Sequence, residues 1–268
     1  MAEKLYVFGT GNASALNCYN TCFALRKGDE YLMCDAGGGN GILRILKEMD
    51  VPLTAVHHLV VTHEHTDHVL GVVWMVRMIA TAMLQGKYEG NLHIYGHEEL
   101  LGKVRTLCTL TLQKKHCAVF DDRILFEAVA DGETRKALEY EVTFFDIHST
   151  KAPQFGFTLQ LESGKKLTCL GDEPYNELCR PYAEHADWLL SEAFCLYEDR
   201  ERFKPYEKHH STAKDGAQQA ADLEVKNLVL WHTEDSDLVN RKARYTAEAA
   251  KEFGGTIYVP DDGEIIEL

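Results

Sequence analysis

The chain has 268 residues, of which 45% are hydrophobic, and its 42 acidic and 28 basic residues give a formal net charge of −14. This length and composition exclude a disordered or fibrous protein and allow one large domain or two small ones. The acidic balance disfavours a long RNA or DNA partner, because a nucleic-acid surface is basic. We find neither the pattern of a signal peptide nor an uninterrupted apolar run of about 18 residues, so we expect no membrane-spanning helix.

Eight cysteines are dispersed along the chain, most of them in apolar runs. Because no secretion signal accompanies them, we expect reduced, buried thiols and a cytoplasmic location. Cys18 and Cys22 form a tight pair, but no second pair stands at zinc-finger spacing.

The first half of the chain alternates between strand and helix patterns. β-Branched and aromatic runs predict strands, and amphipathic or apolar periodicity predicts helices. The expected strands are Lys4–Phe8, Thr21–Arg26, Tyr31–Cys34, His58–Val61 and Asn91–Tyr95. The expected helices are Ile42–Met49, Val69–Leu84 and Glu98–Leu112, the first of them after a glycine-rich turn over 37–41.

The second half of the chain continues this alternation. The expected strands are Glu139–Ile147, Phe155–Glu162, Lys166–Leu170, Asp187–Ser191, Asn227–Trp231, Thr256–Val259 and Glu264–Glu267. The expected helices are Ala213–Leu223, capped by Ser211 or Thr212, and Arg241–Phe253. Two halves that each mix strands with helices indicate an α+β protein, with sheets packed together and helices outside.

The motif His63-x-His65-x-Asp67-His68 follows the predicted strand His58–Val61. In an extended or looped segment alternate side chains share a face, so His63 and His65 can hold one ion while the other two turn toward a second. Imidazole and carboxylate together suit zinc, iron or manganese. The alternative is a polar loop with coincidental histidines, which four ligand-type residues within six positions disfavour.

Three further ligand-type residues also stand at the ends of apolar strands. They are His148, Asp172 and His232, and Gly171 permits a sharp turn before the aspartate. Each of them alone is more often an ordinary loop residue. The repetition of an apolar strand followed by a ligand favours one metal centre.

The order of these motifs resembles the metallo-β-lactamase superfamily, and more narrowly its ribonuclease Z-like branch. His210-Ser211-Thr212, which precedes a helix, resembles a His-Ser-Thr motif of that branch. Glu192-Ala193 matches the middle of its His-Glu-Ala-Thr segment. The resemblance implies a single domain over 1–268 with an αββα four-layer sandwich, in which two mixed β-sheets pack face to face with helices outside.

The resemblance also implies two divalent metal ions, with zinc favoured and iron or manganese open. It implies that His63, His65 and His148 bind one ion, that Asp67, His68 and His232 bind the other, and that Asp172 bridges both. The catalytic residues it implies are Asp67, His210 as proton donor and Glu192 as the carboxylate that orients His210. Asp35 would support the ligand loop. For His210 the alternative is a role in capping its helix, and for Glu192 an ordinary surface position.

Several neighbouring residues have simpler interpretations. We expect His57 and His58 to be surface or packing residues, and Glu64 to point away from the flanking ligands. His209 stands beside the expected proton donor, but the Ser-Thr pair that follows favours His210.

The chain departs from the tRNA-processing members of the branch. His148 and Asp172 are only 24 positions apart, where those enzymes carry a long RNA-gripping arm, and the late motif His232-Thr233-Glu234-Asp235 adds two acids. We therefore expect a phosphodiesterase that uses a metal-bridged hydroxide on a small anionic or phosphodiester substrate, with long nucleic acid and membrane disfavoured as partners. The alternatives are a lactonase or thioester hydrolase, a ribonuclease Z-type tRNA 3′-end nuclease, and a metal-stabilised sensor without activity. A homodimer is the base-rate expectation.

Overall fold

The computed structural model describes residues 3–268. By their contacts the described residues divide into two compact units. Unit 1 comprises residues 3–9, 19–129 and 263–268, and unit 2 comprises residues 10–18 and 130–262.

Unit 1 contains a mixed sheet of seven strands. These are β1 (Lys4–Gly9), β2 (Cys22–Lys27), β3 (Glu30–Cys34), β4 (Val56–Val60), β5 (Leu92–Gly96), β6 (Ile124–Ala128) and β14 (Ile265–Glu267), numbered in chain order. The spatial order is β14-β1-β2-β3-β4-β5-β6. The pairs from β14 to β3 are antiparallel, and those from β3 to β6 are parallel.

The helices of unit 1 pack their apolar residues against this sheet. They are α1 (Gly41–Glu48), α2 (Thr66–Leu84), α3 (Glu98–Thr111) and α4 (Lys114–Cys117). Alternate residues such as Leu59 of β4 and Val61 just after it, or Leu92 and Ile94 of β5, share one face and join Met75 of α2 in the core. Parallel strands need crossover connections, and these helices supply them.

Helix α2 is long and apolar enough to cross a bilayer by length and composition alone. A core helix of a soluble protein passes the same test, and 56% of the apolar window is buried. Its residues Val72, Met75 and Val76 are fully enclosed in the core of unit 1, which accounts for the apolar composition.

Unit 2 contains a second mixed sheet of seven strands. These are β7 (Thr134–Ala137), β8 (Tyr140–Asp146), β9 (Phe155–Gln160), β10 (Lys166–Cys169), β11 (Trp188–Glu192), β12 (Asn227–Trp231) and β13 (Thr256–Tyr258). Their order is β13-β12-β11-β10-β9-β8-β7. The pairs from β7 to β10 are antiparallel and those from β10 to β13 are parallel, the same sequence of pairings as in unit 1.

The helices of unit 2 are α5 (Arg180–Ala183), α6 (Arg200–Phe203), α7 (Ala213–Asp222) and α8 (Leu238–Ala249). Thr212, one of the two predicted caps, begins α7 in a capping box with Asp215. Small residues of α7, Ala213 and Ala217 among them, let the helix lie close to β12, where Leu228 and Leu230 complete the core. The start of α7 is therefore fixed beside the segment that carries His210.

The predicted elements are present, but nearly all of their bounds differ from those of the structure, by one to four residues at an end. Helix α8 begins at Leu238 rather than Arg241, because Asp237 caps it by accepting from the Asn240 N–H. Strands β6 and β7 were not predicted. The edge strand β7 consists largely of exposed polar residues and therefore has no apolar alternation to reveal it.

The eight cysteines, all within residues 3–268, are thiols rather than disulfides, and six of them are buried. Burial raises the pKa of Cys108, and that of Cys195, to about 12. Such thiols are uncharged at neutral pH and unreactive, as expected for packing residues.

Candidate metal centre

In unit 1 two functional loops begin at the carboxyl ends of neighbouring parallel strands. Asp35 follows β3, and Thr62 and His63 come just after β4. Parallel neighbours end at the same edge of a sheet, so the two loops meet there. The meeting is direct, because the Thr62 N–H donates to Asp35 Oδ1 at 2.9 Å.

His63 and His65 converge in the extended segment before α2. His63 is 1% exposed, and its Nε2 lies 2.8 Å from His65 Nδ1. The alternation expected for an extended segment therefore holds for this pair, whose donor nitrogens approach one point.

Asp67 and His68 lie on the first turn of α2, which begins at Thr66 rather than at the predicted Val69. They are thus consecutive helical residues instead of members of a loop. Both are buried, and Asp67 Oδ2 lies 3.3 Å from His68 Nε2. The first turn of the helix therefore provides the second pair of neighbouring metal-ligating side chains that was expected from a loop.

Asp35 fixes the orientation and tautomer of two of these histidines. His68 Nδ1 donates to Asp35 Oδ2 at 2.7 Å, and the Thr62 hydroxyl donates to the same oxygen at 2.7 Å. Because the Thr62 proton is used in that bond, Thr62 Oγ1 accepts from His63 Nδ1, which lies 3.0 Å away. Both imidazoles therefore present the lone pair of Nε2, the arrangement that a metal ligand requires.

The Asp35 loop and α2 are pressed together at Gly71. A Cβ there would stand 1.8 Å from the Ala36 carbonyl oxygen, and the Gly71 N–H donates to Gly37 O at 2.8 Å. Asp35 itself has φ +54°, a conformation that is uncommon for a non-glycine residue. This close approach holds the carboxylate against His68.

In unit 2 the sheet topology brings the remaining predicted residues to one edge. Strands β10, β11 and β12 are parallel, and β8 points the same way because both β8 and β10 are antiparallel to β9. Their carboxyl ends therefore share an edge. The residues that follow or finish these four strands are His148, Asp172, Glu192 and His232.

Asp172 and His232 are buried and adjacent. They are 4% and 1% exposed, and Asp172 Oδ2 lies 3.4 Å from His232 Nε2. The other carboxylate oxygen, Oδ1, accepts from Gln154 Nε2 at 2.5 Å. His232 has φ +58°. Such strained backbone clusters at functional sites.

His148 is placed differently from its predicted partners. It also has φ +58°, but its side chain is 38% exposed and its nearest acidic neighbour is Asp146, at 3.9 Å from Nδ1. Within residues 3–268 it joins no close group of three metal-ligating side chains. The sheet topology places His148 at the same edge as Asp172 and His232, but its imidazole ring does not lie within a group of metal-ligating side chains.

His210 and Glu192 are close to each other, and the carboxylate has other partners as well. Glu192 is fully buried and accepts from the Ser211 N–H at 2.5 Å and the Phe194 N–H at 3.2 Å. His210 Nδ1 lies 3.6 Å from Glu192 Oε2, within ion-pair range but beyond hydrogen-bond length. The His210 ring stacks on Phe194 at 4.8 Å, and its centroid is 5.4 Å from that of His232.

The residues given simpler interpretations behave as expected. Glu64 points to Lys103 of α3 rather than to the flanking histidines. His57 Nδ1 lies 3.2 Å from the Asn91 carbonyl oxygen, and His58 stacks on His93. Burial, together with His93 and His57 nearby, lowers the pKa of His58 to about 4, so this packed imidazole is neutral at pH 7.

Comparison with known proteins decides the family. The family model described as "Anti-Pycsar protein Apyc1" matches residues 3–215, well over half of the chain. The chain belongs to this family. The matched part of the Apyc1-family chain includes all the predicted metal ligands except His232.

Curated relatives of this Apyc1-family chain are named ribonuclease Z. That of Halorubrum lacusprofundi is 25% identical over 335 aligned positions, covering 100% of this chain and 98% of the relative. That of Haloferax volcanii is 25% identical over 320 positions, covering 100% and 96%. Both alignments are longer than this chain, so they contain positions that it lacks.

Solved structures share the fold. The metallo-β-lactamase fold protein YhfI from Bacillus subtilis has a TM-score of 0.80 at 21% identity, with 100% of both chains covered. The short form of human tRNase Z has a TM-score of 0.75 at 20% identity, with 98% of both chains covered. Zinc-bound PqqB from Methylobacterium extorquens has a TM-score of 0.74 at 15% identity, covering 99% of this chain and 100% of that one.

The predicted metallo-β-lactamase fold and ribonuclease Z-like relationship are thereby confirmed, and the chain is a metal-dependent hydrolase of this superfamily. The chemistry of the donor set fits divalent cations. Five predicted ligands are at most 5% exposed, namely His63, Asp67, His68, Asp172 and His232. Enclosing carboxylates and imidazoles together is unfavourable unless charge compensates it, and bound cations supply that charge.

The sequence did not reveal three residues that shape the two halves of the donor set. Thr62 is hydrogen-bonded to both Asp35 and His63. Gln154 donates a hydrogen bond to Asp172, and Phe194 stacks on His210. Thr62 stands next to the histidine motif, and this position was the only available signal. Gln154 and Phe194 belong to no ligand-type pattern, and only coordinates reveal their contacts.

We expect D35A to weaken zinc binding by roughly 10–100-fold, the usual effect of removing a partner that orients a ligand. Both His63 and His68 lose their fixed tautomer, whereas T62V should disturb His63 alone and have a smaller effect. Competition with a chromophoric chelator measures the affinity. D29A, at a position whose side chain is 92% exposed, is the control. Unchanged zinc affinity in folded D35A would contradict the role given to Asp35.

Proposed function

We propose that the chain is a dinuclear metal-dependent phosphodiesterase acting on a small anionic or phosphodiester substrate. His63, His65 and His148 are the proposed ligands of one ion, Asp67, His68 and His232 those of the other, and Asp172 the bridging ligand. Zinc is the proposed metal, with iron or manganese as alternatives. When bound, two such cations supply an activated water and neutralise charge on the phosphoryl group.

The observation that carries this proposal is that each unit contains a buried group of side chains whose atoms are oriented to bind metal. Asp35 orients two histidines of unit 1 so that each presents Nε2, and Asp172 faces His232 in unit 2. Asp67 belongs to the first of these groups, and its proposed contribution to catalysis is as a carboxylate that holds the second ion.

The proton of the leaving group is assigned to His210. Its ring lies 5.4 Å from that of the proposed ligand His232, and stacking on Phe194 fixes its plane. Glu192 accepts hydrogen bonds from the backbone N–H of Ser211, the residue after His210, and from that of Phe194, on which the His210 ring stacks. A histidine outside the ligand set can deliver a proton near neutral pH.

Two features favour a small substrate over tRNA, one in unit 2 and one in the composition of the whole chain. The segment between His148 and Asp172 contains only a loop, β9 and β10, with no room for an added arm. The net charge of −14 repels polyanions. A precursor tRNA binding assay at low salt should therefore detect no complex, and tight binding that weakens steeply with salt would favour a ribonuclease Z activity instead.

The test of the proposed activity pairs metal analysis with a substrate panel. We expect about two equivalents of metal per chain and turnover of bis-p-nitrophenyl phosphate that is lost with EDTA and restored by Zn²⁺ or Mn²⁺. Turnover of a lactone or thioester but not of the diester would favour the runner-up hydrolase class. Full metal content without any turnover would favour a sensor.

We also propose that the chain forms a homodimer and is located in the cytoplasm. Cysteines that are thiols rather than disulfides, most of them buried, support a reducing compartment. Sedimentation velocity at micromolar concentration measures the assembly, and a single species of 30.3 kDa would contradict the dimer.

A further inference from the structure

Gln154 is a buried residue that contacts two of the three ligand-bearing loops of unit 2, those of His148 and Asp172. It is 1% exposed, and its Nε2 donates to Asp172 Oδ1. Its backbone carbonyl accepts from the N–H of Ile147, the residue before His148, at 3.0 Å. One residue therefore connects the end of the β8–β9 loop to the turn that carries Asp172.

The Asp172 turn is shaped around this amide. Gly171 has φ +77°, and a Cβ there would stand 2.9 Å from Gln154 Nε2. Because the glycine has no side chain, the amide can reach the Asp172 carboxylate. The two oxygens of that carboxylate then differ, since Oδ1 accepts from Gln154 and Oδ2 faces His232 at 3.4 Å.

We propose that Gln154 is a positioning residue that orients the Asp172 carboxylate for metal binding, an inference that rests on Asp172 being a ligand under the proposed function. An amide suits this position because it donates a hydrogen bond to a carboxylate without adding charge. Outer partners of this kind fix the rotamer of the ligand and contribute substantially to metal affinity. Gln154 acts through Asp172 and does not touch substrate.

A second contact between the same two loops offers a matched control. Lys151 Nζ lies 3.3 Å from Glu173 Oε1, so this ion pair also ties the β8–β9 loop to the residue after Asp172. K151M removes the tie without touching the Asp172 carboxylate. A loss that comes merely from loosening the loops would appear in both variants.

The experiment measures metal binding by chelator competition, the absorption spectrum of the Co²⁺-loaded protein, and the thermal unfolding of the metal-free form. We expect Q154L, and the more flexible Q154M, to lower zinc affinity roughly 10–100-fold and to alter the Co²⁺ spectrum. K151M should retain wild-type affinity and spectrum. Q154M guards against misfolding of Q154L, because methionine adapts to irregular space.

Two results would overturn the assignment. One is a folded Q154M with wild-type zinc affinity and Co²⁺ spectrum, and the other is an equal loss of affinity in K151M. If the wild-type protein binds metal through Asp172 but hydrolyses no diester, the proposed phosphodiesterase activity is wrong and the role of Gln154 still stands. If the wild-type protein binds no metal, both the proposed activity and the positioning role of Gln154 are wrong.

Discussion

D172N is expected to lower kcat/KM for bis-p-nitrophenyl phosphate on the order of 10³-fold and to lower the metal content of the purified protein. Asparagine keeps the size of the side chain and can still accept from Gln154 Nε2, so packing is preserved. The substitution removes the negative charge of the proposed bridging ligand, and removing one such electrostatic group lowers the rate by roughly 10²–10³-fold. The measurements are steady-state kinetics at saturating Zn²⁺ and elemental analysis.

D187N is the matched control for this prediction. Asp187 precedes β11 of the same sheet, accepts from the Lys166 N–H and pairs with Lys226. It therefore lies at the opposite end of the strand from Glu192. We expect D187N to reduce stability with metal content and kinetics unchanged. Wild-type turnover by D172N would remove Asp172 from the proposed metal set.

The sequence predicts a strand where a short apolar run is bounded by turns. The parallel strands β4, β5 and β12 carry such runs, and most of their residues are buried. The edge strand β7 is the opposite case, since three of its four residues are exposed and charged or polar. An edge strand pairs through its backbone, and the sequence pattern carries no trace of that pairing.

Donor residues were easier to predict than the contacts that hold them. His63, His65, Asp67 and His68 form a dense motif, and strand ends located Asp172 and His232. The helical placement of Asp67 and His68 was missed, because the cap of α2 is His65, a residue without a usual capping preference.

The supporting contacts depend on tertiary structure. Asp35 and Thr62 meet only because β3 and β4 are parallel neighbours. Gln154 reaches Asp172 only because the β8–β9 loop folds over Gly171. Neither approach has a local signature in the sequence, so residues of ordinary type acquire their roles from sheet topology.

H210A is expected to slow hydrolysis of a diester with a poor leaving group by roughly 10²-fold or more, while metal content stays unchanged. A sugar alkoxide, as in dithymidine monophosphate, needs a proton when it departs. A p-nitrophenolate needs little help, so the same variant should retain most of its activity on bis-p-nitrophenyl phosphate. The leaving-group dependence separates proton donation from a structural role at the start of α7.

H209A provides the neighbouring control, because His209 Nδ1 contacts the exposed Thr150 hydroxyl at 2.9 Å rather than stacking beside His232. We expect H209A to behave as wild type on both diesters. If H210A loses activity equally on both, or loses only thermal stability, His210 caps the turn and the proton comes from elsewhere. If H210A keeps its full rate on the alkoxide substrate as well, the chemistry needs no donor at this position. That result would withdraw the proton-donor role from His210 and leave the phosphodiesterase assignment standing, because the alkoxide diester would still be turned over.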